Sequence, residues 1–155
     1  MDPTRQRGYF NNNPGNLDRV LSDEPWQGEI RNPNDPRLSP FQKNEIIYGR
    51  FCVFDTAEHG LRALVKNLIA LRDRLGDHTA NQFIGAWAPP GENNTAAYVA
   101  RVCAVAEVGP DDPINIGYRP IMREFVIAIT DVEEGGNPYP PALIEQAMTD
   151  AGIAL

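Results

Sequence analysis

The sequence is poor in cysteine, with two residues in 155, and contains no uninterrupted apolar run long enough to span a bilayer. Cys52 and Cys103 are too few and too far apart to make a disulfide framework, so two free, buried thiols are expected. The N-terminus, Met1-Asp2-Pro3-Thr4-Arg5, lacks the apolar stretch of a secretory signal, and neither self-directed export nor membrane insertion is expected. Positive charge is also scarce: 14 Lys and Arg stand against 21 Asp and Glu, a formal net charge of −7. A nucleic-acid binder needs clustered Lys and Arg facing phosphate, and no such patch is visible, so nucleic acid is set aside as a partner. Walker loops, dinucleotide fingerprints, His-Glu-x-x-His and Gly-x-Ser-x-Gly are absent too. Cys52, His59, His78 and Cys103 lack metal-ligand spacing, and no metal or other cofactor is expected.

What is present is a 42% hydrophobic content, enough for one core and one domain over residues 1–155. Thirteen Gly and 14 Pro imply long, shaped connections. The first fifty-odd residues read as irregular, with turn chemistry in Asn11-Asn12-Asn13-Pro14-Gly15-Asn16 and again in Asn32-Pro33-Asn34-Asp35-Pro36 and Pro40, and no helix is expected there. Tyr48 to Phe54 carries aromatic and β-branched residues and reads as a short strand, paired in a hairpin with residues near Trp26 to Ile30. Phe51 and Phe54 are expected to help close the core, and Trp26 is assigned to the core as well.

From Thr56 onward the pattern is helical. Leu61, Leu64, Val65, Leu68, Ile69, Arg72 and Leu75 mark one stripe that Gly76 ends. A shorter helix runs from Thr79 or Ala80 through Phe83, Ile84 and Trp87 to Pro89-Pro90. A third, capped by Asn93 or Asn94, carries Tyr98, Val99, Val102 and Val105. A fourth begins near Tyr118 and runs to Gly135-Gly136, and a last one covers Ala142 to Ala151. The expected architecture is mainly α, with a small β-ribbon and loops that permit a cleft between two lobes.

In the fourth helix Ile121, Met122, Phe125, Val126 and Ile129 form an apolar stripe. Rotation of about 100° per residue places Glu133 roughly 50° from its centre and Glu134 roughly 150° away, so Glu133 should lie at the edge of the core while Glu134 faces water. A carboxyl group partly stripped of solvent stays protonated toward neutrality and can act as a general acid. On periodicity alone, an ordinary helix-end residue is the favoured reading.

A set of motifs adds to this: Arg7-Gly8-Tyr9-Phe10-Asn11-Asn12-Asn13-Pro14-Gly15-Asn16, Trp26-Gln27-Gly28, Gly60-Leu61-Arg62-Ala63, and Trp87-Ala88-Pro89-Pro90-Gly91-Glu92-Asn93-Asn94-Thr95 with Tyr98. In these the chain resembles the phage virion-associated proteins of the lysozyme-like, lytic-transglycosylase superfamily, cystoviral lysins among them. Such proteins tend to carry His-Glu-Asn-Gly before Pro-Tyr. Here the matching stretch is Val132-Glu133-Glu134-Gly135 and then Pro138-Tyr139, with the Glu kept and its two neighbours changed. The resemblance implies an α+β lysozyme-like fold in circularly permuted order, with Asn13 to Leu17 packed beside a catalytic Glu133. It implies action on the peptidoglycan glycan strand in the periplasm by a protein delivered with the virion, where other virion proteins are candidate partners.

Asn13 and Asn16 are then candidates for hydrogen-bonding an N-acetyl sugar, or members of a plain structural turn. Trp87, Tyr98 and Tyr139 are candidate stacking surfaces, or core residues. Glu92 and Asn94 either contact substrate or cap the third helix. Glu92, Asp18 and Glu24 are the possible second carboxylates, which leaves hydrolysis and anhydro-forming transglycosylation both open. The competing function is a virion structural or glycan-binding protein that keeps the lysozyme-like body without turnover.

Overall fold

A computed structural model describes residues 2–75, 78–85 and 95–155 of the chain. Among them are seven α-helices: α1 (Arg7–Phe10), α2 (Pro40–Tyr48), α3 (Ala57–Leu75), α4 (Ala80–Gly85), α5 (Thr95–Ala106), α6 (Arg119–Glu134) and α7 (Pro141–Asp150). No described helix is long and apolar enough to cross a membrane.

The helical body is built on α3 and α6. Leu61, Leu64, Val65 and Leu68 of α3 and Met122, Phe125, Val126 and Ile129 of α6 are fully buried in one cluster. Helix α7 adds Ile144, Ala147 and Met148 against α3, and α5 lies along α6. Phe83 of α4 meets Phe125 edge-to-face, with ring centroids 5.3 Å apart. Sequence signals set the helix ends. Thr79 and Gln82 bond each other's backbone N–H at the start of α4. Pro120 sits in the first turn of α6, and Gly135, left-handed at φ 68°, stops that helix immediately after the two glutamates. Arg119 is buried where α6 begins and holds the C-terminal segment, donating to Ile153 O (2.8 Å), Ala154 O (3.1 Å) and Thr149 Oγ1 (2.9 Å).

The N-terminal segment departs from expectation. Helices α1 and α2 stand where irregular chain was expected, α2 because Ser39-Pro40-Phe41-Gln42 forms a capping box: Gln42 N donates to Ser39 Oγ (3.2 Å) and Gln42 Oε1 accepts from Ser39 N (2.9 Å). Pro40 starts this helix rather than interrupting it. Tyr48 ends α2 instead of opening a strand, and among the described residues the expected β-ribbon reduces to two isolated antiparallel bridges, Asp18 with Phe51 and Glu29 with Phe54. The pairing with the Trp26–Ile30 stretch persists only as single bonds, such as Ile30 N to Val53 O (2.8 Å).

Asparagine side chains take the place of a ladder here. Asn12 Nδ2 donates to Phe54 O (3.0 Å), and Asn13 Nδ2 donates to Leu17 O and Cys52 O (3.1 Å each) while its Oδ1 accepts from Leu17 N (3.0 Å). Asn12 and Asn16 both adopt positive φ, 53° and 46°, which asparagine tolerates better than most residues. Two small apolar clusters sit beneath: Leu17, Cys52, Phe54 and Ala63 in one, Ile30, Ile46 and Val53 in the other. Cys52 and Cys103 are buried and unpaired, and burial pushes the Cys52 thiol up to about 12.

Candidate active site

Where the asparagine-rich turn meets the C-terminal end of α6, a cleft of about 750 Å³ opens. One wall is the turn and the chain after it, with Asn16, Asp18 and Trp26. Another is the flank of α3 carrying Asn67, Leu71 and Arg74, and Glu133 of α6 also lines the cleft. The volume lies within the usual range for small-molecule sites, roughly 300–1,000 Å³.

Glu133 is half-buried, and its Oε2 accepts a hydrogen bond from Asn16 Nδ2 at 2.9 Å. Burial raises the Glu133 pKa above the ordinary carboxyl value, and the Asn16 bond opposes this only in part. The structure brings Asn16 and Glu133, 117 residues apart in sequence, into direct contact, and it places Asp18 and Glu24, two of the candidate second carboxylates, in the lining of the same cleft. Trp26, assigned to the core, is half-buried: it packs on the Leu17–Phe54 cluster and also lines the cleft. Phe51, also assigned to the core, lines the cleft with the Arg50 guanidinium 4.8 Å from its ring centroid.

Other predicted site residues lie elsewhere. Asn13 is fully buried with its amide committed to three backbone groups, so it is a structural clamp rather than a sugar contact. Tyr98 packs against the main core and does not line the cleft. Tyr139 is buried, donates its hydroxyl to Glu134 Oε1 (2.9 Å) and stands beside Tyr9, with ring centroids 6.3 Å apart. Trp87, Glu92 and Asn94 lie outside the described residues.

The expectation for Glu134 is overturned: it has no exposed surface at all. Rotation about a single apolar stripe overlooks a second covered flank, because α1 and Tyr139 pack over the end of α6, burying Thr130 and Glu134 one turn apart. Gly8 of α1 approaches so closely that a Cβ there would lie 2.7 Å from Glu134 Oε1 and 3.1 Å from Asn16 Oδ1. Burial pushes the Glu134 carboxyl up to about 7, the Tyr139 bond opposing and the neighbouring Glu133 charge adding to the rise.

Sequence reading missed Arg50, Asn67, Leu71 and Arg74 on the cleft walls. Asn67, Leu71 and Arg74 follow helical spacing on one flank of α3, which was the available signal. Apart from Glu133, the lining carries Asp18, Asp23 and Glu24 against Arg31, Arg50 and Arg74, three charges of each sign. Asp18 pairs with Arg50 at 3.1 Å. The cleft is thus close to charge-balanced within an acidic molecule, and it offers polar groups, two aromatic side chains, Trp26 and Phe51, and one carboxyl group of raised pKa.

A mainly helical protein with a carboxyl-bearing cleft is therefore the class that fold and site define. No family model matches the chain. Over 135 residues it is 30% identical to Protein P5 of Pseudoalteromonas phage PM2, a match spanning 86% of this chain and 74% of the phage protein. The chain belongs to the family of that phage protein.

Proposed function

We propose that the chain is a phage glycosidase of lysozyme-like architecture, carried with the virion, that cleaves the β-1,4 bond between N-acetylmuramic acid and N-acetylglucosamine in peptidoglycan. The observation that carries this reading is Glu133, half-buried in the lining of a sugar-sized cleft and held by Asn16 at 2.9 Å. Burial favours its protonated form, so it can donate to the leaving glycosidic oxygen as the bond to the anomeric carbon breaks. The carboxylate left behind then takes a proton from the incoming hydroxyl, which is water in hydrolysis or a hydroxyl of the same sugar in anhydro formation. Trp26 offers a face for a sugar ring, and the balanced charge of the walls suits a substrate recognised by hydrogen bonds. Kinship with a phage protein fits delivery to a bacterial wall.

Incubating the purified chain with purified peptidoglycan tests the reading. Soluble muropeptides are expected, and mass spectrometry of their ends distinguishes reducing from anhydro products. Sedimentation of the chain with intact wall and no release of fragments would instead identify a glycan-binding virion component.

A further inference from the structure

Behind Glu133 lies a set of buried polar atoms that the cleft itself does not use. Glu134 Oε2 and Asn16 Oδ1 are both buried without a hydrogen-bond partner, and a Cβ at Gly8 would meet both Glu134 Oε1 (2.7 Å) and Asn16 Oδ1 (3.1 Å), so the two side chains pack against the same glycine. Amide oxygens only accept, so Asn16 Oδ1 needs a donor. An ionised Glu134 supplies none, and with no exposed surface and no cationic partner among the described residues it would be costly to bury. A protonated Glu134 carries one O–H, the donor that an ionised carboxylate lacks.

We propose that Glu134 is a neutral buried acid whose Oε2–H donates to Asn16 Oδ1, fixing the Asn16 amide with its NH2 toward Glu133. The relay runs from the Tyr139 hydroxyl to Glu134, from Glu134 to Asn16, and from Asn16 to Glu133. Glu134 has no access to the cleft and is a positioning residue. The titratable groups facing it are Glu133 on its own helix and Tyr139, with Tyr9 of α1 beside Tyr139. Thr130 Oγ1, also buried and unpartnered, lies one turn earlier on the same flank; a hydroxyl donates on its own account and does not require the Glu134 proton. The value of the relay to catalysis rests on the reading of Glu133 as general acid, whereas the relay itself is testable without substrate.

Carboxyl-detected NMR titration of the full chain, with Glu133→Gln and Glu134→Gln for assignment, reads it directly. Glu134 is expected to stay protonated through pH 6 and to titrate near 7, with the Asn16 side-chain NH2 signals moving at the same midpoint. Glu134→Gln, which retains a neutral donor, keeps the Asn16 signals in place, whereas Glu134→Leu displaces them. Should Glu134→Leu fail to fold, the wild-type titration and Glu134→Gln still decide. A Glu134 midpoint in the ordinary range near 4.5, or Asn16 signals that respond to Thr130→Val and not to Glu134, overturns the proposal. Neither result depends on glycan cleavage, so failure of the relay and failure of the glycosidase reading are separable.

Discussion

The N-terminal segment and the helical body are held together by different forces, and the cleft lies where they meet. In the body, α3 to α7 bury one large apolar cluster in which each fully buried Val, Leu, Ile, Phe or Met side chain contributes about 1.5–3 kcal/mol. In residues 2–55, two clusters of three buried apolar side chains each, one of them completed by Ala63 of α3, are supplemented by asparagine amides bonded to backbone. Cores of the first kind lose stability with lost volume, and frameworks of the second kind lose it with a lost hydrogen bond. Glu133 is anchored by the body and aimed by the N-terminal segment, so its chemistry depends on both.

Substitutions can sharpen or break that contrast. The largest effect is expected for Phe125→Ala, which opens a cavity beneath Phe83 and should cost about 3–5 kcal/mol in denaturant unfolding. A loss under 1 kcal/mol would mean that the body is not the main source of stability.

The pH dependence of unfolding comes next. Glu134 binds its proton more tightly in the folded state, about 7 against an ordinary 4.5, so its contribution to stability is full below pH 4.5, declines as pH rises to 7, and is flat above. The decline should amount to about 3 kcal/mol and should vanish in Glu134→Gln. Identical pH profiles for the two proteins would show that Glu134 is not a buried neutral acid.

In the N-terminal segment, Asn13→Ala strands the Leu17 and Cys52 backbone groups and should cost about 2–3 kcal/mol without enlarging any apolar cavity. Smallest is Ser39→Ala, which removes one half of the α2 capping box at about 1 kcal/mol, measurable by the same unfolding experiment.

The same contrast governs what the sequence disclosed. Helices α3 and α6 were legible because long apolar stripes followed by glycine leave little choice of period or boundary, and the short α7 was placed to within a residue at each end. Helix α2 was hidden by Pro40, read as a loop signal although Ser39 and Gln42 around it spell a helix start. The strand expected at Tyr48–Phe54 failed because its β-branched and aromatic residues answer to side-chain amides and cation contacts rather than to a neighbouring ladder. Of the site, the placement of Glu133 at the core edge followed from periodicity, and its proximity to the Asn13–Leu17 turn followed only from resemblance. Burial of Glu134 was illegible because it depends on α1 and Tyr139 arriving from either end of the chain, which no single-helix rotation contains.

The central claim is that the Glu133 carboxyl delivers a proton to glycan, and Glu133→Gln tests it most directly. The substitution keeps size and can still meet Asn16, so thermal unfolding should be little changed while release of muropeptides from purified wall falls by at least about a hundredfold. Undiminished release by a folded Glu133→Gln protein would contradict the account.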